Sequence, residues 1–467
     1  MQSKPGVLED VLLEIDGGVE RAIARLSSWL SIPSISTDPT HDDDCREAAG
    51  WLVRELSSVG IAAELRETGG HPIVVGKGGA ASGARALFYG HYDVQPIDPL
   101  DAWETPPFAP RVKPLPDGRK VISARGACDD KGQIMTFVEA CRAWKAVTGS
   151  LPVGVTFLIE GAEEDGSKFL PDWVATNRHE LSADFALVCD TCLWDKDTPC
   201  ITTSLRGLLH EEVTVCGPSQ DLHSGLYGGA ARNPIRVLGR ILGDLHRDDG
   251  SVAIPGFYDG VEDPPGEILA SWRELNPSPS LFLGNVGLSE PAGERDRLLI
   301  EQVQSRPTCE ANGIIGGYTG VGTKTVIPAR ASVKISFRLV GNQDPQKISA
   351  AFRDFVRERV PGDCSVEFVG LAGSRAVQIP FRAPVLAAAK TALRSEWGKE
   401  PVLIGSGGSI PIIDTFKHEL GLDTLLVGFG LDDDCVHAPN EKYDLRSLHK
   451  GARTWARILA ELSGQLR

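Results

Sequence analysis

The 467-residue chain has no uninterrupted apolar run of 18 residues, the least that a membrane-crossing helix needs. It has no excess of basic charge: 48 Lys and Arg stand against 63 Asp and Glu, a net charge of −15. That balance argues against nucleic acid or an anionic membrane as partner, because phosphates select basic surfaces. The start, "MQSKPGVLEDVLLEIDGG", lacks the basic-then-apolar order of a secretion signal, so the expected address is cytoplasmic. Ten cysteines are thinly spread, and only "CDTC" (189–192) has CxxC spacing. One such pair without a second is a poor thiolate zinc site. The expectation is buried free thiols in a reducing compartment.

Several catalytic motifs are also missing. "HELSA", "HEEVT" and "HELGL" lack the second histidine of the single-zinc helix motif. There is no GxSxG nucleophile elbow. "GKGGAA" (76–81) is followed by a turn and a strand, whereas a dinucleotide site needs a helix there. "GYTGVGTKT" (317–325) has the wrong Gly-Lys order for a phosphate loop. "HDDDC" (41–45) and "LDDDC" (431–435) are expected to be solvated acidic loops.

What is present is an α/β pattern. Apolar runs at 86–90, 153–161, 184–190 and 423–430 are separated by helical or loop stretches, with a helix expected over 130–147. Such strands are buried on both faces, so the fold class is α/β, a mainly parallel sheet with helices on both faces. Residues 8–31 have helical spacing, interrupted by Gly17-Gly18. From about 206 to 380 the strands alternate instead: "HEEVTVCG" (210–217) and "ASVKISFRLVG" (331–341) each have one wet face. Residues 207–380 are therefore expected to be an inserted α+β domain, with 1–206 and 381–467 forming one discontinuous catalytic domain.

In open α/β sheets, sites form at the carboxyl ends of strands. Here those ends carry His91 and Asp93, then Glu163 and Glu164, then Asp190, then His437, while Asp129 precedes the 130–147 helix. Any one of these is ordinary, but their coincidence at one edge is not. Imidazole and carboxylate suit Zn²⁺, Mn²⁺ or Co²⁺. The period-two geometry of "HYD" puts His91 and Asp93 on one side, so Asp93 can fix the imidazole.

"GHYDVQP", "RGACDDKG", "EGAEEDGS" and "HAPNEKYD" resemble the successive metal-site motifs of the co-catalytic metallopeptidase superfamily. That superfamily includes glutamate carboxypeptidase, aminoacylase and acetylornithine deacetylase. The insert, with "DLHSGLYGG", "KTVIP", "SFRLV" and later "GGSIP", is most similar to the carnosinase and cytosolic nonspecific dipeptidase branch. The resemblance implies a phosphorylase/hydrolase-like metallopeptidase core, a lid that is also a dimerisation domain, and a homodimer. It implies that Asp129 bridges two metal ions, zinc first and manganese or cobalt as alternatives. His91 and Asp190 would complete one ligand set, Glu164 and His437 the other, with Glu163 as general base. His223 would reach the partner subunit's site as an oxyanion donor.

Val333, Ile335, Phe337 and Leu339 share one face of their strand and Lys334, Ser336 and Arg338 the other, so Arg338 can reach a cleft and hold a peptide carboxylate. Asn233, Thr325 and Ser409 are further substrate-site candidates. The branch often has a small residue where this chain has Asp165, which is expected either to be solvated or to disfavour acidic substrates. The implied reaction is hydrolysis of dipeptides with a free C-terminal carboxylate. The alternative is an N-acyl-amino-acid amidohydrolase using the same site.

Overall fold

The computed structural model describes residues 6–79, 83–275, 277–370, 373–408 and 410–465. The chain divides into two compact units: Met1–Thr203 with Ile379–Ile404 and Pro411–Arg467, and Ser204–Gln378 with Gly405–Ile410. Residues 405–410, expected with the catalytic part, group with the insert because Gly405 N donates to Gln304 Oε1 and Arg206 Nε donates to Gly407 O.

The first unit is built on an α/β sheet whose centre is parallel. Seven of its nine strands run in the order Ala62–Arg66, Ile73–Gly78, Gly154–Glu160, Arg85–His91, Phe185–Val188, Thr424–Leu426, Cys200–Leu205. The four in the middle pair parallel. Ile73–Gly78 and Cys200–Leu205 join them antiparallel. Successive side chains point to opposite faces of a strand. Phe88 accordingly packs on Phe137 and Trp455 from helices Lys131–Thr148 and Leu445–Gln465. Tyr89, one residue on, meets Phe416 of helix Pro411–Leu420 on the opposite face. Both faces are thus covered, which explains the unbroken apolar runs.

Two local expectations change. Val7–Leu30 is one continuous helix through Gly17-Gly18. Its apolar stripe, Val11, Leu12, Ile15, Leu26 and Trp29, is buried in the core, and that burial outweighs the roughly 1 kcal/mol helix cost of each glycine. "HDDDC" is not a loop: Asp42, Asp43 and Asp44 form the first turn of helix Asp42–Ser58, where carboxylates complement the positive end of the helix dipole. The ten cysteines are free. No helix among the described residues is long and apolar enough to cross a membrane.

The second unit contains a four-stranded antiparallel sheet in the order Thr308–Gly316, Arg330–Leu339, Gly207–Cys216, Ser365–Gly370. Strand Arg330–Leu339 buries Val333, Ile335, Phe337 and Leu339. Helices Pro234–Gly243 and Pro345–Arg357 cover that apolar face through Val237, Leu238, Ile241, Ile348 and Phe352.

Candidate active site

The topology brings the carboxyl ends of the parallel strands together. Arg85–His91 sits between Gly154–Glu160 and Phe185–Val188, so the chain leaves it first to one side and then to the other. Such a reversal of strand order opens a crevice at the strand ends. His91 is the last residue of its strand. Glu163 and Glu164 follow Gly154–Glu160, and Asp190 follows Phe185–Val188.

Two donor trios result. His91, Asp129 and Asp190 offer ligand atoms within 4.8 Å of one another, and so do Asp129, Glu164 and His437. Asp129 is common to both. Its Oδ1 lies 3.0 Å from His91 Nε2 and its Oδ2 lies 2.9 Å from His437 Nε2. One carboxylate therefore presents a different oxygen to each trio, the arrangement that a bridging ligand requires. His437 Nε2 is also 3.3 Å from Glu164 Oε2. This donor set of imidazole and carboxylate, with no thiolate, fits two borderline-hard dications.

The electrostatics follow from crowding four carboxylates together. Burial pushes the Glu163 carboxyl up to about 8, with Asp190 and Glu164 adding to it against His91. Burial and then Asp129 push Asp190 up to about 7. Burial alone would raise Asp129, but hydrogen bonds from His437 and His91 hold it well below the carboxylate range. His437, hydrogen-bonded to Asp129 and Glu164, is raised to about 10. For His91, burial lowers the value, yet Asp129 and Asp93 carry it well above the ordinary one.

Asp93 is fully buried and holds two parts of the site. Its carbonyl oxygen is 3.1 Å and its Oδ1 3.3 Å from His91 Nδ1, which leaves Nε2 turned toward Asp129. Its carboxylate also accepts from Glu163 N at 3.3 Å and Glu164 N at 3.1 Å. Two supporting side chains escaped the sequence reading. Ser36 Oγ donates to Asp93 Oδ2 at 2.6 Å, and Gln95 Nε2 donates to Glu164 Oε2 at 2.6 Å. Gln95 stands in the quoted "GHYDVQP" motif, so its place was legible; Ser36, 57 residues from Asp93, carried no signal.

The Asp165 side chain is partly exposed and pairs with Lys168 at 2.7 Å, in keeping with the solvated alternative. "LDDDC" is not simply solvated either. Asp434 is buried and accepts from Leu431 N at 2.7 Å. The loop then takes left-handed backbone at Cys435 and at His437 (φ 61°).

The second unit holds the remaining candidates. Arg338 lies on the wet side of its strand, opposite Leu208 and Thr308. His223 is exposed and accepts from Gly225 N through Nδ1 at 3.0 Å. That bond assigns the neutral ring's proton to Nε2, making it a donor. Thr325 is its neighbour, because Ser224 N donates to Thr325 O. Asn233 caps helix Pro234–Gly243, its Oδ1 taken by Ile235 N at 2.9 Å. Ser409 lies outside the described residues.

Comparison with known proteins adds an independent line. The family model for Peptidase family M20/M25/M40 matches residues 87–461. The chain is 31% identical to the Cys-Gly metallodipeptidase dug1 of Schizosaccharomyces pombe, over 96% of this chain and 97% of that one. It is 28% identical to the Beta-Ala-His dipeptidase of Homo sapiens, over 98% and 93%. Among solved structures, the M20 family metallo-carboxypeptidase Sso-CP2 of Sulfolobus solfataricus superposes with a TM-score of 0.82 at 30% identity, covering 95% of this chain and 99% of that one.

Proposed function

The chain belongs to Peptidase family M20/M25/M40, and from that premise we propose that this metallodipeptidase cleaves dipeptides with a free C-terminal carboxylate. The observation that carries the reading is the pair of donor trios sharing Asp129, with Glu163 beside them and in neither. A general base must stand by the reacting water without being consumed as a ligand.

His91, Asp129 and Asp190 would hold one ion and Asp129, Glu164 and His437 the other, with zinc, manganese or cobalt as the metal. Bound there, such ions would supply Lewis acidity toward a water and the scissile carbonyl. Glu163 would take a proton from the attacking water and return it to the leaving amine. Asp93 keeps His91 in the required tautomer and, through the two backbone N–H groups it accepts, fixes the turn that presents Glu163 and Glu164. Arg338 holds the substrate carboxylate, with Asn233, Thr325 and Ser409 contributing around it. The relatives act on Cys-Gly and β-Ala-His, by their names, and such substrates share the free carboxylate.

A hydrolysis panel tests this. Dipeptides are expected to be cleaved, and the same dipeptides with an amidated C-terminus to lose about 10–100-fold in kcat/KM, the worth of a charge-assisted contact of ~1.5–3 kcal/mol. Preference for acetyl- or succinyl-amino acids would instead favour the amidohydrolase reading.

His223 donates Nε2–H to the developing oxyanion of the partner subunit's site in a homodimer. Losing such a donor costs about 10²–10³ in kcat. His223→Ala is expected to show that loss, and mixing it with Glu163→Gln under subunit exchange to restore activity, because one site of each mixed dimer regains both groups. No recovery on mixing would place His223 within its own subunit's chemistry or outside it altogether.

A further inference from the structure

We infer that the buried ion pair of Glu441 and Arg125 is the positioning device for the metal-holding loops, governing how tightly metal is bound and not the chemical step. The inference rests on the ligand assignment proposed above.

Glu441 is 0% exposed and Arg125 1%. They are brought together by an antiparallel strand pair, Lys120–Ser123 with Lys442–Asp444, in which Ser123 is opposite Lys442. That register sets Glu441 against the irregular segment 124–130, which carries Asp129. A segment without ladder partners must find acceptors for its buried N–H groups elsewhere. The Glu441 carboxylate provides them. Its Oε1 accepts from Cys128 N at 2.9 Å and Asp129 N at 3.1 Å, and its Oε2 from Gly126 N and Arg125 Nη1, both at 2.9 Å. Gly126 has φ 80°, a left-handed conformation that lets the segment wrap around the carboxylate. The Glu441 carbonyl accepts Ala124 N and Ser123 Oγ, each at 3.1 Å.

Arg125 extends the clamp. Its Nη2 donates to Pro96 O at 2.9 Å, and its guanidinium lies 5.2 Å from the centre of the Trp103 ring. Pro96 ends the segment that contains His91, Asp93 and Gln95, while Glu441 lies four residues past His437. One ion pair therefore ties together three segments, those of His91, Asp129 and His437. Its chemistry is specific: a carboxylate offers only acceptors to these donors. Glutamine would turn an N–H toward another N–H, and a buried Arg125 would lose its counter-charge.

The test is Glu441→Gln in the full chain, with fold checked by circular dichroism and gel filtration. Bound zinc and manganese are measured at controlled free-metal concentrations, and kcat at saturating metal. The expected result is a 10–100-fold weaker affinity for both ions, the usual cost of losing a group that orients ligands. Excess metal is expected to restore kcat, with KM unchanged. Native metal affinity in folded Glu441→Gln, or kcat still depressed with both ions bound, would overturn the inference. Should Glu441→Gln not fold, Glu441→Asp keeps the charge one methylene short; intermediate affinity supports the clamp, and native affinity overturns it. A native protein that bound no metal would instead overturn the ligand assignment itself.

Discussion

Glu163→Gln is expected to keep both metal ions and to lose about two to four orders of magnitude in kcat, the contribution of a positioned acid–base group. In energy that is roughly 2.7–5.4 kcal/mol of transition-state stabilisation. The substitution is isosteric and the backbone N–H of residue 163 keeps its bond to Asp93 Oδ1, so the turn has no reason to move. What changes is proton affinity. Burial pushes the native carboxyl up in the metal-free protein, and a carboxylate can both take a proton and give it back. An amide can do neither. Kinetics and metal analysis on the same sample decide the matter. Turnover within tenfold of native would remove Glu163 as the base, and lost metal would make it a ligand.

The second large effect is expected at Asp129. Asp129→Ala removes the one carboxylate shared by the two trios, so both ions are expected to leave together and activity to fall to background. Glu164→Gln, by contrast, touches only the trio with His437 and is expected to weaken one ion. The same geometry sets a pH dependence. His437 is raised to about 10 by Asp129 and Glu164, and His91 well above its ordinary value by Asp129 and Asp93, so metal-free protein holds the proton on each at neutral pH. Metal uptake must expel these protons, because only neutral imidazole coordinates. Affinity is therefore expected to rise with pH toward about 10, and calorimetry in buffers of different ionisation enthalpy should register proton release. Two ions bound to Asp129→Ala would refute the bridging role. Affinity independent of pH between 6 and 8 would refute the proton release.

Much of this site was legible in the chain because its physics is local. An apolar run that ends in His91, or in Glu163 and Glu164, declares a buried strand and what stands at its carboxyl end. Alternation along 330–339 told which face Arg338 occupies. Reading failed where a residue's surroundings come from elsewhere. Gly17-Gly18 broke a helical pattern on paper, but burial of the stripe on either side carries the helix through. The acids of 42–44 and 432–434 looked alike; the first group starts a helix, while Asp434 is buried inside a loop. Asp165 adds a carboxylate next to Glu164 in the chain, but its side chain pairs with Lys168 at the surface.

By itself, then, the sequence determined the α/β alternation, the donor types and the strand ends that carry them, since hydrophobic period and ligand chemistry are properties of a short stretch. Only the tertiary structure decided that Asp129 shows one oxygen to His91 and the other to His437, and that Glu441 closes on the loop of Asp129 from more than 300 residues away. Distances of a few ångströms between such remote groups are set by strand order and register, which no local pattern encodes.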